Sequence, residues 1–188
     1  MGRWEPGASG RLREAALALY LERGFEQTMV ADIAERAGVT ARTFFRHFAD
    51  KREVLFEASA DLEKSALAAL ADAPAPASAM DLVSAALDAA AEVVGTDREL
   101  ARKRHAVIMA NTDLRERELI KLAHLSAALA DGLRLRGIDD TEASLAAETG
   151  IAVYRVAFER WADDTGGLDL SEAIRMSLAT LRTLTASA

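Results

Sequence analysis

The stretch from Thr28 to Lys51, TMVADIAERAGVTARTFFRHFADK, decides the fold of the N-terminal part of this 188-residue chain. Its apolar positions predict two short helices, about 30–37 and 41–48, which meet at Gly38 through a turn of three to four residues. Glycine can take the positive φ that ends a helix sharply. The spacing is therefore typical of a helix-turn-helix.

The residues around this turn are suited to a small packed core. Ala34 is small, so the two helices can approach closely, and Val39 fills the turn between them. Ile33, Phe44 and Phe48 are spaced to lie beneath the turn on one side of the pair. We therefore expect a compact unit that fixes the direction of the second helix.

The second helix presents a polar face of hydrogen-bond donors on only two turns. These outward positions are Thr40, Ala41, Arg42, Thr43, Arg46 and His47. Such side chains can contact phosphates and the edges of bases. Spacing alone is also compatible with an ordinary helical hairpin whose polar face is solvated.

The rest of the chain also predicts helix. Apolar residues make up 51% and charged residues 28%, and no segment alternates with the period of a strand. We predict an all-α fold of about nine helices, with a three-helix helix-turn-helix domain at 9–55 and a helical domain for ligand binding and dimerisation at 56–188. The predicted helices are about 11–23, 30–37, 41–48, 50–71, 79–94, 98–110, 114–136, 141–163 and 170–186.

The net charge of −7 is unevenly distributed along the chain. Residues 1–60 hold nine basic and nine acidic residues, so the remainder carries the whole excess of acid. This permits local DNA binding but argues against a protein that coats nucleic acid in general. The chain has no cysteine, no signal peptide in its first residues and no apolar run long enough to span a bilayer, so we expect a cytoplasmic protein without membrane contact.

Several independent positions resemble the tetracycline-repressor (TetR/AcrR) family of bacterial regulators. The resemblance rests on Gly38-Val39-Thr40, on TFFRHF at 43–48 and on Lys51, and it extends upstream through REAA at 13–16, GFEQT at 24–28 and IAERAGV at 33–39. It covers about residues 11–57. The family implies an all-helical homodimer in which three N-terminal helices bind DNA and the remainder binds a ligand and dimerises.

Site residues follow from this resemblance position by position. Thr40, Ala41, Arg42 and Thr43 match the base-reading start of the recognition helix, Phe45 and His47 match backbone contacts, and Lys51 matches a phosphate contact. Two positions depart from the family pattern. Met29 replaces a common threonine, so we expect Thr28 to cap the second helix, and Phe45 lacks the hydroxyl of the usual tyrosine. The full predicted DNA-contacting set is Thr28, Thr40, Ala41, Arg42, Thr43, Phe45, Arg46, His47 and Lys51.

Arg42 is the candidate for sequence readout, through a bidentate contact to guanine. A phosphate contact or a solvated side chain is the alternative. Arg3, Arg11 and Arg13 are candidates to extend the basic surface, and Arg3 with Trp4 forms a candidate minor-groove arm. A frayed terminus is the other interpretation of Arg3 and Trp4.

Large side chains in the C-terminal part mark a candidate pocket for an apolar small-molecule effector. The pocket residues are Arg104, His105, Met109, Tyr154, Phe158 and Trp161, with Asn111, Glu148 and Arg155 as further polar anchors. An aromatic stripe at helical spacing is also what plain core looks like. No metal site and no cofactor are expected, because His47, His105 and His124 lack ligand spacing.

The residues of the last two predicted helices indicate that these helices form the dimer surface. Small residues at 143, 146, 147, 150 and 157 allow close helix approach, and leucines and isoleucine follow at 170, 174, 178, 181 and 184. The alternative is that these positions face the core of their own chain.

The sequence therefore predicts a regulator, most simply a repressor, whose homodimer binds a palindromic operator and is released by a small ligand. A helical ligand-binding or protein-interaction module without DNA specificity is the alternative. No enzyme motif is present, whether nucleophile elbow, glycine-rich phosphate loop or HExxH.

Overall fold

The computed structural model describes residues 7–186, which contain nine α-helices, one short 3-10 turn and no strand, so the all-α prediction is confirmed. No helix in this part of the chain is both long and apolar enough to cross a membrane. The helices are α1 (Ala8–Arg23), α2 (Val30–Arg36), α3 (Ala41–His47), α4 (Ser59–Asp72), α5 (Ala79–Val94), α6 (Arg98–Met109), α7 (Thr112–Leu135), α8 (Asp140–Asp163) and α9 (Leu170–Ala186).

The single helix predicted over 50–71 is wrong at its start. A 3-10 turn at Glu53–Phe56 precedes α4, which begins at Ser59. Asp50 Oδ1 accepts hydrogen bonds from the backbone N–H groups of Arg52 at 2.7 Å and Glu53 at 3.2 Å, which starts the turn. All three consecutive apolar residues at 54–56 are buried. An α-helix rotates by about 100° per residue and does not easily bury three neighbours on one face.

The described residues divide into two compact units. The first comprises residues 7–57 together with Arg102–Arg117, and the second comprises 58–101 and 118–186. The predicted domain limits, 9–55 and 56–188, remain a prediction. The inclusion of Arg102–Arg117 in the first unit was not anticipated from the sequence.

Each unit has its own apolar core. In the first unit the predicted stripe of α1 is buried at Leu12, Ala15, Ala16, Leu19 and Tyr20. The second unit has a larger core built from α4, α5, α7, α8 and α9, in which alanine and leucine dominate. Small side chains such as alanine allow helices to approach closely, and the leucines fill the space between them.

The small residues of α8 lie in the core of their own chain, so their assignment to the dimer surface is wrong. Ala143, Ala147 and Ala157 are fully buried in the second unit. At Gly150 a Cβ atom would lie only 2.5 Å from Val83 Cγ1, so glycine is what lets α8 approach α5. In α9 the positions 170, 174 and 178 are also buried, 181 is partly buried, and 184 is exposed.

One carboxylate between α5 and α9 is poorly satisfied. Asp88 Oδ1 is buried and accepts no hydrogen bond within the described part of the chain, and Arg175 Nη1 lies 3.9 Å from it. Burial raises the pKa of Asp88, the nearby Arg175 lowers it, and the carboxylates of Glu92 and Asp169 raise it further. The net effect is a raised pKa of Asp88, so its carboxyl group binds a proton more tightly in the folded state than in the unfolded state.

The substitution Asp88→Asn should therefore stabilise the protein at neutral pH. A raised native pKa means that stability falls as pH rises from about 4, the unfolded value, through the native value, and the penalty is fully present above it. The gain should be below about 1 kcal/mol, because the side chain is 40% exposed and solvent screens the effect. Thermal melts at pH 7 and at about pH 3 test this. We expect the advantage of the variant to shrink at about pH 3, below the unfolded pKa, where the carboxyl group is protonated in both states, whereas the exposed control Asp163→Asn should change little at either pH. An equal gain at both pH values would contradict the assignment.

Candidate nucleic-acid interface

The turn between α2 and α3 has the predicted geometry. Gly38 has a φ of +67°, and the N–H of Val39 donates to the carbonyl of Ala34 at 2.9 Å. The N–H of Gly38 donates to the carbonyl of Glu35 at 3.0 Å. These bonds close the end of α2 and redirect the chain into α3, so the positive φ expected of this glycine is confirmed.

The core beneath the turn is also as predicted. Ile33, Phe44 and Phe48 are buried, and Ala34 lies with them. The rings of Phe44 and Phe48 are 5.5 Å apart between centroids. This packing fixes the rotation of α3 about its axis and thereby decides which of its side chains face outward.

The outward face of α3 carries the predicted contact residues. Ala41, Arg42, Phe45, Arg46 and His47 are exposed. Phe45 is 58% exposed, although it follows the fully buried Phe44. No hydrogen bond or ion pair of Arg42 is seen within residues 7–186, so its guanidinium is available for a contact with another molecule. The DNA contacts of these exposed residues remain a prediction.

Two threonines organise the start of α3. Thr40 is the N-cap, and its Oγ1 accepts a hydrogen bond from the N–H of Thr43 at 3.2 Å, as the sequence predicted. The two hydroxyl oxygens are 3.1 Å apart. The capping bond holds the first turn of α3 in place before any ligand binds.

Thr28 does not cap α2, so this expectation is wrong. Met29 is the N-cap residue, and its backbone N–H donates to Asp32 Oδ2 at 3.0 Å. Thr28 is only 1% exposed, and its hydroxyl donates to the carbonyl of Gly24 at 2.9 Å. Its side chain closes the loop between α1 and α2 and is not presented to an external phosphate.

Lys51 is bound to the same loop. Its Nζ donates to the carbonyl oxygens of Phe25 at 2.8 Å and Thr28 at 3.0 Å, with a longer contact of 3.4 Å to Glu26. It also lies 4.3 Å from the centroid of the Phe25 ring. An ammonium group has three hydrogens, so a phosphate would share or replace one of these bonds. The observed role of Lys51 is to hold the loop, and its phosphate contact stays a prediction.

Tyr20 fixes the backbone of Lys51 from the other side. Its hydroxyl donates to the Lys51 carbonyl at 2.6 Å. Burial raises the pKa of Tyr20 and Asp50 adds to the increase, so the phenol remains a protonated donor. The loop before α2 and the segment after α3 are thus tied together through one lysine.

The basic residues of α1 are engaged within the first unit. Arg11 Nε donates to the carbonyl of Ala37 at 3.2 Å, and Arg13 pairs with Glu57 at 3.4 Å. Arg3 and Trp4, the predicted arm, lie outside the described residues.

The six candidate pocket residues fall into two groups. Tyr154, Phe158 and Trp161 are buried together in the core of the second unit, with ring centroids 6.2 and 5.5 Å apart along the series. Arg104, His105 and Met109 belong to the first unit. The aromatic stripe therefore forms core packing, and a ligand contact by any of the six remains a prediction.

The predicted polar anchors are separated in the same way. Arg104 Nε donates to the carbonyl of Leu55 at 2.6 Å, and Asn111 Nδ2 donates to Glu26 Oε1 at 3.0 Å, both within the first unit. In the second unit, Glu148 accepts from the Ser126 hydroxyl at 2.8 Å, and Arg155 is exposed.

An open depression of about 430 Å³ in the second unit was missed by sequence reasoning. Trp161 lines it with Arg98, whose guanidinium lies 5.2 Å from the indole ring. Arg98 also approaches Asp164 at 3.6 Å. The backbone N–H of Leu168 and of the two preceding glycines hold the pKa of Asp164 below its usual value. The arginine and the tryptophan are far apart in sequence, so no local pattern indicated that they meet.

Comparisons with known proteins agree with this geometry. Residues 12–58 match the family model of bacterial regulatory proteins of the tetR family, and residues 77–186 match the MftR C-terminal domain model. The chain belongs to the tetR family, and it is therefore a helix-turn-helix transcriptional regulator. The members of this family are regulators rather than enzymes.

Individual relatives support the family from both halves of the chain. The chain is 32% identical over 184 residues to the transcriptional regulator TcmR of Streptomyces glaucescens, covering 92% of this chain and 81% of that protein. Over 48 residues it is 44% identical to the transcriptional repressor KstR2 of Mycobacterium tuberculosis, covering 26% of this chain and 24% of KstR2.

Solved structures share the fold. FadR of Thermus thermophilus, a repressor in complex with lauroyl-CoA, has a TM-score of 0.57 at 24% identity and covers 93% of each chain. SmeT, the repressor of a Stenotrophomonas maltophilia efflux pump, has a TM-score of 0.58 at 20% identity, covering 92% of this chain and 89% of SmeT. At these identities the likeness concerns the fold alone.

Proposed function

We propose that this chain is a repressor whose homodimer binds a near-palindromic operator and leaves it when a small effector binds. The observation that carries the proposal is the exposed polar face of α3, with Arg42 near its start, held rigid over the buried Phe44. A two-turn helix with this face can enter the major groove and present donors to base edges. Because its target is the chromosome, the protein acts in the cytoplasm.

A dimer gives this short helix enough contacts for specificity. Two recognition helices related by a two-fold axis reach successive major grooves when they are about 34–36 Å apart, so the operator should be a near-palindrome. Selection of binding sites from random duplex DNA tests the proposal. We expect an enriched inverted repeat. DNA binding without enriched sequences, or no DNA binding at all, would favour the alternative of a helical interaction module.

The dimer face proposed here lies on the exposed sides of α8 and α9. On α8, Leu145, Ala152 and Val156 are exposed at spacings of seven and four residues, which place them on one side of the helix. On α9, Met176 and Thr180 are exposed one turn apart. These five side chains are uncharged in a unit that is otherwise strongly acidic, and a self-complementary apolar face suits a two-fold contact between copies.

The substitution Val156→Glu should shift the dimer towards monomer. Val156 is 52% exposed in the single chain, and a carboxylate there would be brought close to its own copy across a two-fold axis. Sedimentation velocity at micromolar concentration measures the effect, and the variant should also lose operator affinity. Leu135→Glu is the matched control, since Leu135 is 90% exposed at the end of α7. A wild-type chain that sediments as a monomer, or a Val156→Glu variant that remains as dimeric as the control, would contradict this face.

We further propose that the effector is predominantly apolar. Trp161 lines the open depression of the second unit, and Thermus FadR, which has the same fold, is a repressor in complex with lauroyl-CoA. Trp4 and Trp161 are the two tryptophans of the chain, so Trp4→Phe leaves a single fluorescent reporter. Titration of this variant with acyl thioesters and aromatic compounds should change its emission and lower its affinity for the selected DNA in parallel. A compound that changes emission at saturation but leaves DNA affinity unchanged is not the effector.

A further inference from the structure

The connection between α6 and α7 changes the charge of the DNA-binding unit. Arg102–Arg117, here called the α6–α7 corner, contains five Lys or Arg and two Asp or Glu residues, a net charge of +3. Residues 7–57, which contain the helix-turn-helix, hold eight basic and eight acidic residues and are neutral. The second unit holds nine basic and nineteen acidic residues, a net charge of −10. The positive balance of the first unit therefore comes from the corner.

The corner is fastened to the helix-turn-helix by specific contacts. The guanidinium of Arg104 binds the Leu55 carbonyl and lies 5.2 Å from the ring of Phe56. Arg117 Nε donates to Glu53 Oε1 at 2.9 Å. Arg102, Lys103 and Arg115 are the exposed cations of the corner, and Arg115 Nη2 donates to the hydroxyl of Thr112 at 3.3 Å.

The start of α7, which carries Arg115, is joined to the loop that Lys51 holds. Asn111 caps the first turn of α7 through its Oδ1 and the N–H of Leu114 at 3.2 Å, and its amide nitrogen donates to Glu26. Lys51 binds carbonyls of the same loop, including that of Glu26. Arg115 follows Asn111 by one helical turn, and its N–H donates to the Asn111 carbonyl at 3.0 Å. The start of α7 is thus attached to the segment that leads directly into α2.

We propose that the α6–α7 corner is a second DNA contact, in which Arg115 binds a backbone phosphate flanking the half-site read by α3. The exposed Arg102 and Lys103 add to the net positive charge of the corner. A phosphate contact suits this position because each cation that neutralises a phosphate adds to the counterion release that favours DNA binding. The inference rests on the proposed operator binding and adds a contact outside the helix-turn-helix.

The test measures the salt dependence of binding to a 30-base-pair duplex of unrelated sequence, by fluorescence anisotropy with the full chain. The variant Arg115→Gln should reduce the slope of log K against log [salt] by about 2, because each of the two chains of the dimer loses one phosphate contact. Arg115→Lys should keep the wild-type slope, because the charge is retained. Arg160→Gln, which removes an exposed arginine from α8 in the second unit, is the matched control and should also keep the slope.

A second measurement locates the contact. On the selected operator, shortening the flanks base pair by base pair should weaken wild-type binding at one step, and that step should be absent for Arg115→Gln. An unchanged slope for Arg115→Gln, or an equal loss for Arg115→Lys, would overturn the proposal while leaving operator binding intact. Failure of the wild-type chain to bind any duplex would instead overturn the proposed function.

Discussion

Replacing Phe44 by alanine should lower the free energy of unfolding by about 3–5 kcal/mol and abolish DNA binding. Phe44 is fully buried and contacts the rings of Phe45 and Phe48, with centroids 5.5 Å away in each case. Its removal leaves a cavity in the core of the first unit, beneath the turn between α2 and α3. Because the net stability of a domain is of the order of 5–15 kcal/mol, a loss of this size removes a large fraction of it.

The neighbouring residue provides the control for this prediction. Phe45→Ala deletes the same side chain from the same helix, but Phe45 is largely exposed. Thermal and urea unfolding followed by circular dichroism should show a large loss for Phe44→Ala and a change within about 0.5 kcal/mol for Phe45→Ala. Phe45→Ala should retain the fold and lose part of its DNA affinity. Equal losses of stability in the two variants would contradict the orientation of α3.

The substitution Arg42→Ala should relax specificity at one base pair of each half-site. A bidentate arginine-guanine contact discriminates against the wrong base by about 1–3 kcal/mol, which corresponds to a factor of about 5 to 150 in relative affinity. Arg42 is exposed at the first turn of α3, and this turn is held by the Thr40 cap. Competition binding with a set of single-base variants of the selected half-site measures the effect.

Arg52→Ala is the control, because it removes an arginine that the structure pairs with Asp50 at 2.7 Å. It should leave the ranking of the variant half-sites unchanged. If Arg42→Ala weakens all half-sites by the same factor, its contact is with a phosphate and the readout role is wrong.

The helix-turn-helix could be predicted because its determinants are local. Gly38, Ala34, Phe44 and Phe48 lie within one short stretch, and each acts on its immediate neighbours. The error at Thr28 has a physical reason, since a threonine before a helix can bond either to the helix or back to the preceding turn, and here it bonds back to Gly24. The resemblance did not indicate that Lys51 would bind three carbonyls, because those carbonyls belong to a loop more than twenty residues earlier.

The second unit was less predictable, because hydrophobic periodicity predicts which face of a helix is buried but not which helix or ligand packs against that face. Trp161 and its neighbours on α8 form a stripe that suits a ligand or a core equally, and the structure places them in the core. Gly150 suggested a close approach of two helices, which is correct, but the partner is Val83 of the same chain. The α6–α7 corner joins the first unit through contacts between residues about 50 to 85 positions apart, which no local pattern records.

The most direct test of the central claim is a gel shift with the purified full chain and the DNA immediately upstream of its own coding sequence. The claim is that this chain reads DNA sequence as a dimer through α3. We expect one retarded complex containing two chains per duplex, which survives an excess of unrelated DNA, since specific sites are typically bound about 10³-fold or more tightly than nonspecific ones. The band should be lost when the half-site bases facing Arg42 are changed. A band that unrelated DNA removes as readily as the upstream DNA itself would contradict sequence-specific recognition.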